Sequence, residues 1–332
     1  VLFYKNEKHL GKYSHYSNVE EKFVKASSKF YWDQVAIPIA ARQSKIDILF
    51  HTKFTVPFFT NCKTVMVLHG ASWFVHPEIY KNKFDLMYIK TIMPLYCRKA
   101  DALISNSSLT TNDFINILHI PKEKIRTVYY GLNPIFKQIH DTQKLNDIKI
   151  KYNLPNHFIV TVSRYDPRKN FCTIFKAFTK SRVEGDLKLL AVGKDSDKYR
   201  EECKINGSDY ENDVIFPGYV EQSDLPYIYN LAKLLIFPSV YEEFGIPLLE
   251  AMACGCPIVA SNTGAIPEIT GGSAFLADPF DADSLGDGIT KIIGDSQFKQ
   301  GLVEKGLEQV KNFTWEKNAS ETMKIFHSLN HK

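Results

Sequence analysis

The chain has 332 residues and no apolar run near the roughly 18–20 residues that a membrane-spanning helix needs, so no helical span is expected. Its first residues, Val1-Leu-Phe-Tyr4, lack the basic region, apolar core and small-residue cleavage site of a signal peptide. It has no internal repeat and no low-complexity tract, which argues against solenoid and disordered classes. Cysteine is sparse: the six, at positions 62, 97, 172, 203, 254 and 256, form no Cys-x-x-Cys pairs with histidines, so a structural zinc is not expected. Cys254-Gly-Cys256 is too tightly spaced for an ordinary disulfide. All six are read as reduced thiols of a cytosolic protein. Asp195-Ser-Asp197 and Asp281-Ala-Asp283 read as loop and cap residues, so no metal site is expected. The sequence does not open with Met. It begins inside a strand-like run, and a segment upstream of Val1 is expected.

What is present is a globular composition, 44% hydrophobic and 23% charged, long enough for two α/β domains. The net charge of +4 hides an asymmetry. Residues 1–138 carry 19 Lys+Arg against 10 Asp+Glu, and residues 139–332 carry 22 against 27. A basic first half suggests an anionic partner, with a solvated lysine-rich surface as the plain alternative.

Short apolar runs alternate with amphipathic stretches, the pattern of parallel α/β domains. Strands are expected at 1–4, 46–50, 64–68, 102–105 and 126–129. After a polar linker over 140–151, further strands are expected at 158–162, 188–192, 214–216, 234–237, 257–260 and 274–276. Helices are expected at 82–98, kinked at Pro94, and at 171–180, 225–230, 247–254, 283–293 and 316–328. The domains would be 1–138 and 139–312, with 313–332 a terminal helix able to pack on either.

In open parallel sheets, ligands bind beyond the carboxyl ends of the strands. Two segments fall there. In the run from Ile236 to Gly255, a strand ends near Phe237 and a loop carries Glu242 and Gly245. Pro247 then opens a helix that Gly255 closes. Backbone N–H groups around Phe244–Leu249 would form a positive pole suited to a diphosphate. Glu242 and Glu250, eight residues apart, could each accept vicinal hydroxyls. Taken singly, Glu250 could merely complement a helix end and Glu242 could be a solvated loop residue. In the second segment, Val160–Phe171, Arg164, Arg168 and Lys169 crowd a loop between strand and helix, where cations complement a pyrophosphate.

Ser163-Arg164 with Lys169-Asn170, Gly218-Tyr219-Val220, Pro238-Ser239, Glu242-x7-Glu250 and Ala251–Pro257 together resemble the retaining glycosyltransferase family 4. Ile266-Pro-Glu268 and Phe313-Thr-Trp315 fit the same pattern, and the likeness runs through about residues 100–328. The resemblance implies the α/β GT-B architecture, two Rossmann-like domains facing across a cleft. The family's first strand and its Gly-rich loop are missing from this chain. The implied activity is transfer of a hexose-type sugar from a nucleotide-diphosphate donor to a glycan or lipid-linked acceptor, with retention and without metal or other cofactor. Arg164 and Lys169 would hold the diphosphate, Glu250 the ribose hydroxyls and Glu242 the transferred sugar. The backbone at Phe244, Gly245 and Ile246, with Leu249, would contact sugar and phosphate; Gly218, Tyr219 and Val220 would edge the base. His69, at the end of the 64–68 strand, would approach the donor sugar from the other domain.

Three positions depart from the family: Ser163 and Glu243 stand where glycine is common, and Gly70 follows His69 where Asp is frequent. The resemblance also implies a role in cell-surface polysaccharide or glycolipid synthesis and a cytoplasmic location, with no nucleic-acid partner. The basic half, with Tyr13-Ser-His-Tyr16 and Phe30-Tyr-Trp32, suggests an acceptor surface and a peripheral contact with an anionic membrane. Other readings are a catalytically silent nucleotide-sugar-binding partner of another transferase, or a nucleotide-sugar epimerase. The latter would need paired acid–base groups around the ring.

Overall fold

The computed structural model describes residues 1–80, 82–181, 183 and 185–330. The chain divides into two compact units, Val1–Tyr129 with Ala319–Lys332, and Tyr130–Asn318. The division therefore falls after Tyr129, where the sequence had suggested Gln138.

In the first unit, β1 (Leu2–Tyr4) and β2 (Glu21–Phe23) form a small parallel sheet of their own. The main sheet is parallel, in the order β3 (Ile48–His51), β4 (Lys63–Leu68), β5 (Ala102–Ser105), β6 (Ile125–Thr127). β4 and β5 are near-continuous runs of buried residues, as expected of strands covered on both faces. One cover is the helix Lys83–Lys99, whose Met93, Tyr96 and Cys97 join Met66, Leu68 and Leu103 in the core. Asn82 caps it, accepting from the backbone of Phe84 and Asp85, and it runs on through Pro94. On the other face, Ile325 of the terminal helix Trp315–Asn330 packs with Val65, Val67 and Ile104.

The second unit is built on six parallel strands, β7 (His157–Val162), β8 (Leu187–Val192), β9 (Val214–Gly218), β10 (Leu235–Phe237), β11 (Ile258–Ser261) and β12 (Ala274–Ala277). Their order across the sheet is β12-β11-β10-β7-β8-β9. From β7 the chain winds outward through β8 and β9, then returns to pair β10 on the other side of β7. The loops leaving β7 and β10 thus diverge from adjacent strand ends, which makes this the topological switch point of the sheet. Helices Phe171–Lys180 and Ala282–Gly294 pack on one face through Ile174, Ala177, Leu285 and Ile289.

Two expectations are corrected. The segment read as a linker holds the helix Thr142–Lys151, capped by Asp141; none of its residues is fully buried, and Leu145 and Ile148 are half-buried. The cysteines are not all reduced: Cys172 and Cys203 are joined in a disulfide, with Cys62, Cys97, Cys254 and Cys256 free. Cys172 opens the helix after β7, and Cys203 ends the short helix Tyr199–Glu202 that stacks beside it through Tyr199 on Phe171.

Candidate donor site at the switch point of the second sheet

Two loops meet at the switch point, and their side chains lock together. After β7, Asp166 caps a single turn, Pro167–Lys169, and Asn170 takes a left-handed conformation (φ +56°) to start the next helix. The Asn170 amide donates to the carbonyls of Pro238 (3.3 Å) and Pro279 (2.6 Å). It thereby ties this loop to the strand ends of β10 and β12. The Val240 N–H donates to the Arg168 carbonyl at 2.9 Å, making a backbone link between the two loops.

Lys169 and Glu242, placed on different loops by the sequence, form an ion pair. Both side chains are largely covered, and the Lys169 ammonium sits 4.8 Å from the centre of the Phe237 ring. Arg164, by contrast, is exposed. Arg168 does not point a charge outward as the sequence suggested. It grips Asp166 through Nε and Nη2 (Nη2 to Oδ2, 2.7 Å) and lies 3.6 Å from the Glu243 carboxylate. Burial would raise the Asp166 carboxyl, but the bonds from Arg168 hold it below the usual carboxylate range. The same guanidinium supplies the countercharge for Glu243, the carboxylate that departs from the family pattern.

Backbone geometry explains the glycines here. Gly245 has φ +91° and precedes the helix Ile246–Ala253; a Cβ there would come within 2.7 Å of Leu248 Cδ1. Gly264 (φ +62°) lies against Glu242, where a Cβ would sit 2.7 Å from the Glu242 carbonyl oxygen. The Ala265 N–H donates to that carbonyl at 2.8 Å, so the Glu242 loop is held from behind. Gly193, beyond β8, lets the backbone approach Ser163 so closely that a Cβ would overlap the Ser163 carbonyl.

Glu250 lies inside the helix, only 7% exposed, and accepts a 2.9 Å hydrogen bond from the Tyr229 hydroxyl. Burial pushes its carboxyl up to about 7, against the lowering effect of Tyr229. Leu249 and Val220 are buried, so their side chains serve the core. Phe244 is buried too, its ring 4.9 Å from Tyr130 and 6.1 Å from Phe313. Ile246 and Tyr219 are exposed, and Gly218 closes β9 with φ +78°.

Tyr229 was not singled out by the sequence, and Asn170 and Ser239 stood there only as motif residues without a role. The Ser239 carbonyl accepts from Ser261 Oγ (2.6 Å) and Thr263 Oγ1 (3.1 Å), while its own fully buried hydroxyl has no hydrogen-bond partner. No spacing rule could have joined Tyr229 to Glu250, since each lies on a separate helix.

In the first unit, His69 follows β4 and is exposed. Its Nε2 lies 2.7 Å from the Thr52 carbonyl and its ring packs edge-on against Phe54. His51, ending β3, is held neutral by burial, its imidazole down at about 4. Among the described residues, no group of three or more His, Cys, Asp or Glu side chains is arranged to hold a metal.

Comparison with known proteins places these features in context. The family described as "Glycosyl transferases group 1" matches residues 143–309, and "Glycosyltransferase Family 4" matches residues 13–135. The O-antigen chain mannosyltransferase B of Escherichia coli is 26% identical over 271 residues, covering 80% of this chain and 71% of that protein. The serotype-specific mannosyltransferase WbdA, also of Escherichia coli, is 26% identical over 275 residues, but the match spans only 34% of its length. Among solved structures, Anabaena HepE in complex with UDP and glucose aligns with a TM-score of 0.74 at 19% identity, covering 95% of this chain and 87% of that one.

Proposed function

Because the chain belongs to the glycosyl transferases group 1 family, with the α/β, two-sheet GT-B fold of its structural neighbours, we propose that the switch-point site binds a nucleotide-diphosphate sugar and transfers its hexose with retention. The observation that carries this reading is the Lys169–Glu242 pair. One cation and one carboxylate, from the two loops of the switch point, are held together where a diphosphate and its sugar would lie.

On this reading, Lys169 and the exposed Arg164 face the diphosphate. Negative charge gathers there as the donor bond breaks, and fixed cations stabilise it most in the transition state. Glu242, released from Lys169 by the incoming phosphate, accepts sugar hydroxyls. Glu250 accepts from the ribose, with Tyr229 holding one of its oxygens. The backbone of Phe244–Ile246 lies at the helix start suited to phosphate. Tyr219, exposed at the end of β9, offers a face to the base. His69 in the first unit is assigned to the sugar.

A glycan acceptor and a role in cell-surface polysaccharide synthesis are supported by the O-antigen mannosyltransferases among its relatives; a lipid-linked acceptor and a cytoplasmic location belong to the same proposal. Those relatives make mannose the first sugar to try. The HepE complex with UDP and glucose makes UDP-glucose the second.

The test is release of nucleoside diphosphate from GDP-mannose, UDP-glucose and related donors, with and without lipid-linked acceptors, followed by the anomeric configuration of the product. Acceptor-dependent release with retention supports the proposal. Tight donor binding without release would instead mark a silent binding partner, and interconversion of the donor sugar an epimerase.

A further inference from the structure

Neighbouring residues on the two switch-point loops face each other twice. Lys169 pairs with Glu242, and Arg168, one residue earlier, lies 3.6 Å from the carboxylate of Glu243, one residue later. Two consecutive cations on one loop thus meet two consecutive carboxylates on the other, like the rungs of a short ladder. The proposed function uses only the Lys169–Glu242 rung. The second rung contains Glu243, at a position where the family commonly has glycine, which has no side chain to make it.

Arg168 is placed to hold rather than to bind. Its Nε and Nη2 donate to Asp166 (3.2 and 2.7 Å), and its backbone N–H donates to the same carboxylate at 3.0 Å. Asp166 is itself anchored from the core. The hydroxyl of Tyr199, a residue only 2% exposed, accepts from the Asp166 N–H (2.9 Å) and donates to the Asp166 carbonyl (3.0 Å). The guanidinium therefore stands on a fixed arm, and little further side-chain freedom is lost in reaching Glu243. Charge argues the same way. Asp166 and Glu243 set two carboxylates against one guanidinium, so this cluster carries net negative charge and does not attract a diphosphate. All three side chains are mostly covered, from 12% exposed at Asp166 to 20% at Arg168, so solvent screens them less than a surface pair.

On the proposed reading, an arriving donor opens the first rung: its diphosphate takes Lys169 and its sugar takes Glu242. The loops lose that link at the moment when their spacing decides where the reacting groups lie. The ties made by Asn170 and by the Val240 N–H lie at the base of the Glu242 loop, so Arg168 and Glu243 hold its tip. We propose that Arg168 is a positioning residue that acts through Glu243, keeping the Glu242 loop against the Lys169 loop while the donor occupies the other pair. This role rests on the donor reading, whereas the mutual support of the two rungs is measurable without a ligand.

The test is a double-mutant cycle read by amide hydrogen exchange of the ligand-free chain over residues 240–246. Lys169→Met opens the first rung as a donor would, and Glu243→Gln opens the second with little change of shape. Each alone should raise exchange in that loop by about fivefold or less. Together they should raise it at least about fivefold beyond the product of the two. Unchanged exchange in the helix Ala282–Gly294 will show that the variants fold. With donor present, Glu243→Gln should lower kcat/KM for release of nucleoside diphosphate by about tenfold. Its affinity for the bare nucleoside, which brings no phosphate to Lys169, should stay within about twofold, whereas a merely structural role would weaken both alike. Exchange effects that simply multiply would overturn the proposal, because the rungs would then be independent. So would coupled rungs with normal donor kinetics in Glu243→Gln. Coupled rungs in a wild-type chain that binds and cleaves no donor would be a separate failure: the donor reading would fall, and the ladder would be a structural clamp alone.

Discussion

The two parallel sheets carry candidate chemistry in opposite ways. At the switch point of the second unit, polar side chains are engaged with one another: Lys169 with Glu242, Arg168 with Asp166 and Glu243, Tyr229 with Glu250. Such a site is preorganised, with loops held by Asn170 and Gly264 before any ligand arrives. In the first unit, the candidate His69 is exposed and held through a backbone carbonyl. On the proposed reading, one unit recognises a charged small molecule. The other presents surface. The difference teaches that locating a reactive group at a strand end is not enough; what distinguishes a binding site is the set of neighbours that fixes it.

The largest effect that can break this contrast is expected at Lys169. Lys169→Ala should lower turnover by on the order of 10²–10³, read as donor-dependent release of nucleoside diphosphate. Near-normal turnover would mean that the ion pair is structural. Next is His69→Ala, expected to cut transfer by on the order of 10² while donor affinity, measured by calorimetry, stays within about twofold. Loss of both would sharpen the contrast differently, by showing that His69 supports its own unit. Cys172→Ser should lower the unfolding free energy of the second unit by about 2–4 kcal/mol, with donor loops still formed. Denaturant unfolding followed in parallel with nucleotide binding would check this.

The smallest effect concerns Glu250 and Tyr229. Tyr229→Phe keeps the ring and removes the donor, and should weaken nucleotide binding by about tenfold. The sign of the pH dependence follows from burial. The Glu250 carboxyl titrates at about 7 in the folded chain against an ordinary 4.5, so the folded state holds its proton longer than the unfolded one. Its contribution to stability is therefore complete below about 4.5 and is lost as pH rises through about 7. The thermal midpoint of the ligand-free protein should fall across that window, and Glu250→Gln should flatten the fall. A midpoint indifferent to Glu250→Gln would show that the carboxyl is better hydrated than its 7% exposure implies.

Much of the second unit was legible in the sequence, because its strands are buried runs bounded by turn residues. The helix Phe171–Lys180 shows its apolar face so clearly that both ends are readable. Gly245, Pro247 and Gly255 likewise mark the start and stop of the helix that carries Glu250. The helix Ser296–Gln309 was not foreseen. It buries only Leu302 and Gly306, the latter against Met252, and a glycine contact leaves no apolar periodicity to detect. Thr142–Lys151 was missed because polar residues dominate it and none of its residues is fully buried. The Cys172–Cys203 pairing was invisible because tertiary packing, including Tyr199 stacked on Phe171, brings together residues 31 apart in the sequence. In the donor site, motif spacing located Lys169 and Glu242 but could not show that they face each other. It also could not show that Arg168 is spent on its neighbour Asp166 and, across the loops, on Glu243.

The Lys169–Glu242 pair bears on how a transferase would tell a fresh donor from a spent one. A bare nucleoside diphosphate must take the ammonium from Glu242 and leave that carboxylate, largely sheltered from water, with nothing in exchange. A donor that still carries its sugar brings hydroxyls to the same carboxylate. On the proposed reading, the salt bridge therefore acts as a returning latch. Once the sugar has moved on, Glu242 reclaims Lys169, and the leaving nucleotide is displaced by the site's own side chain.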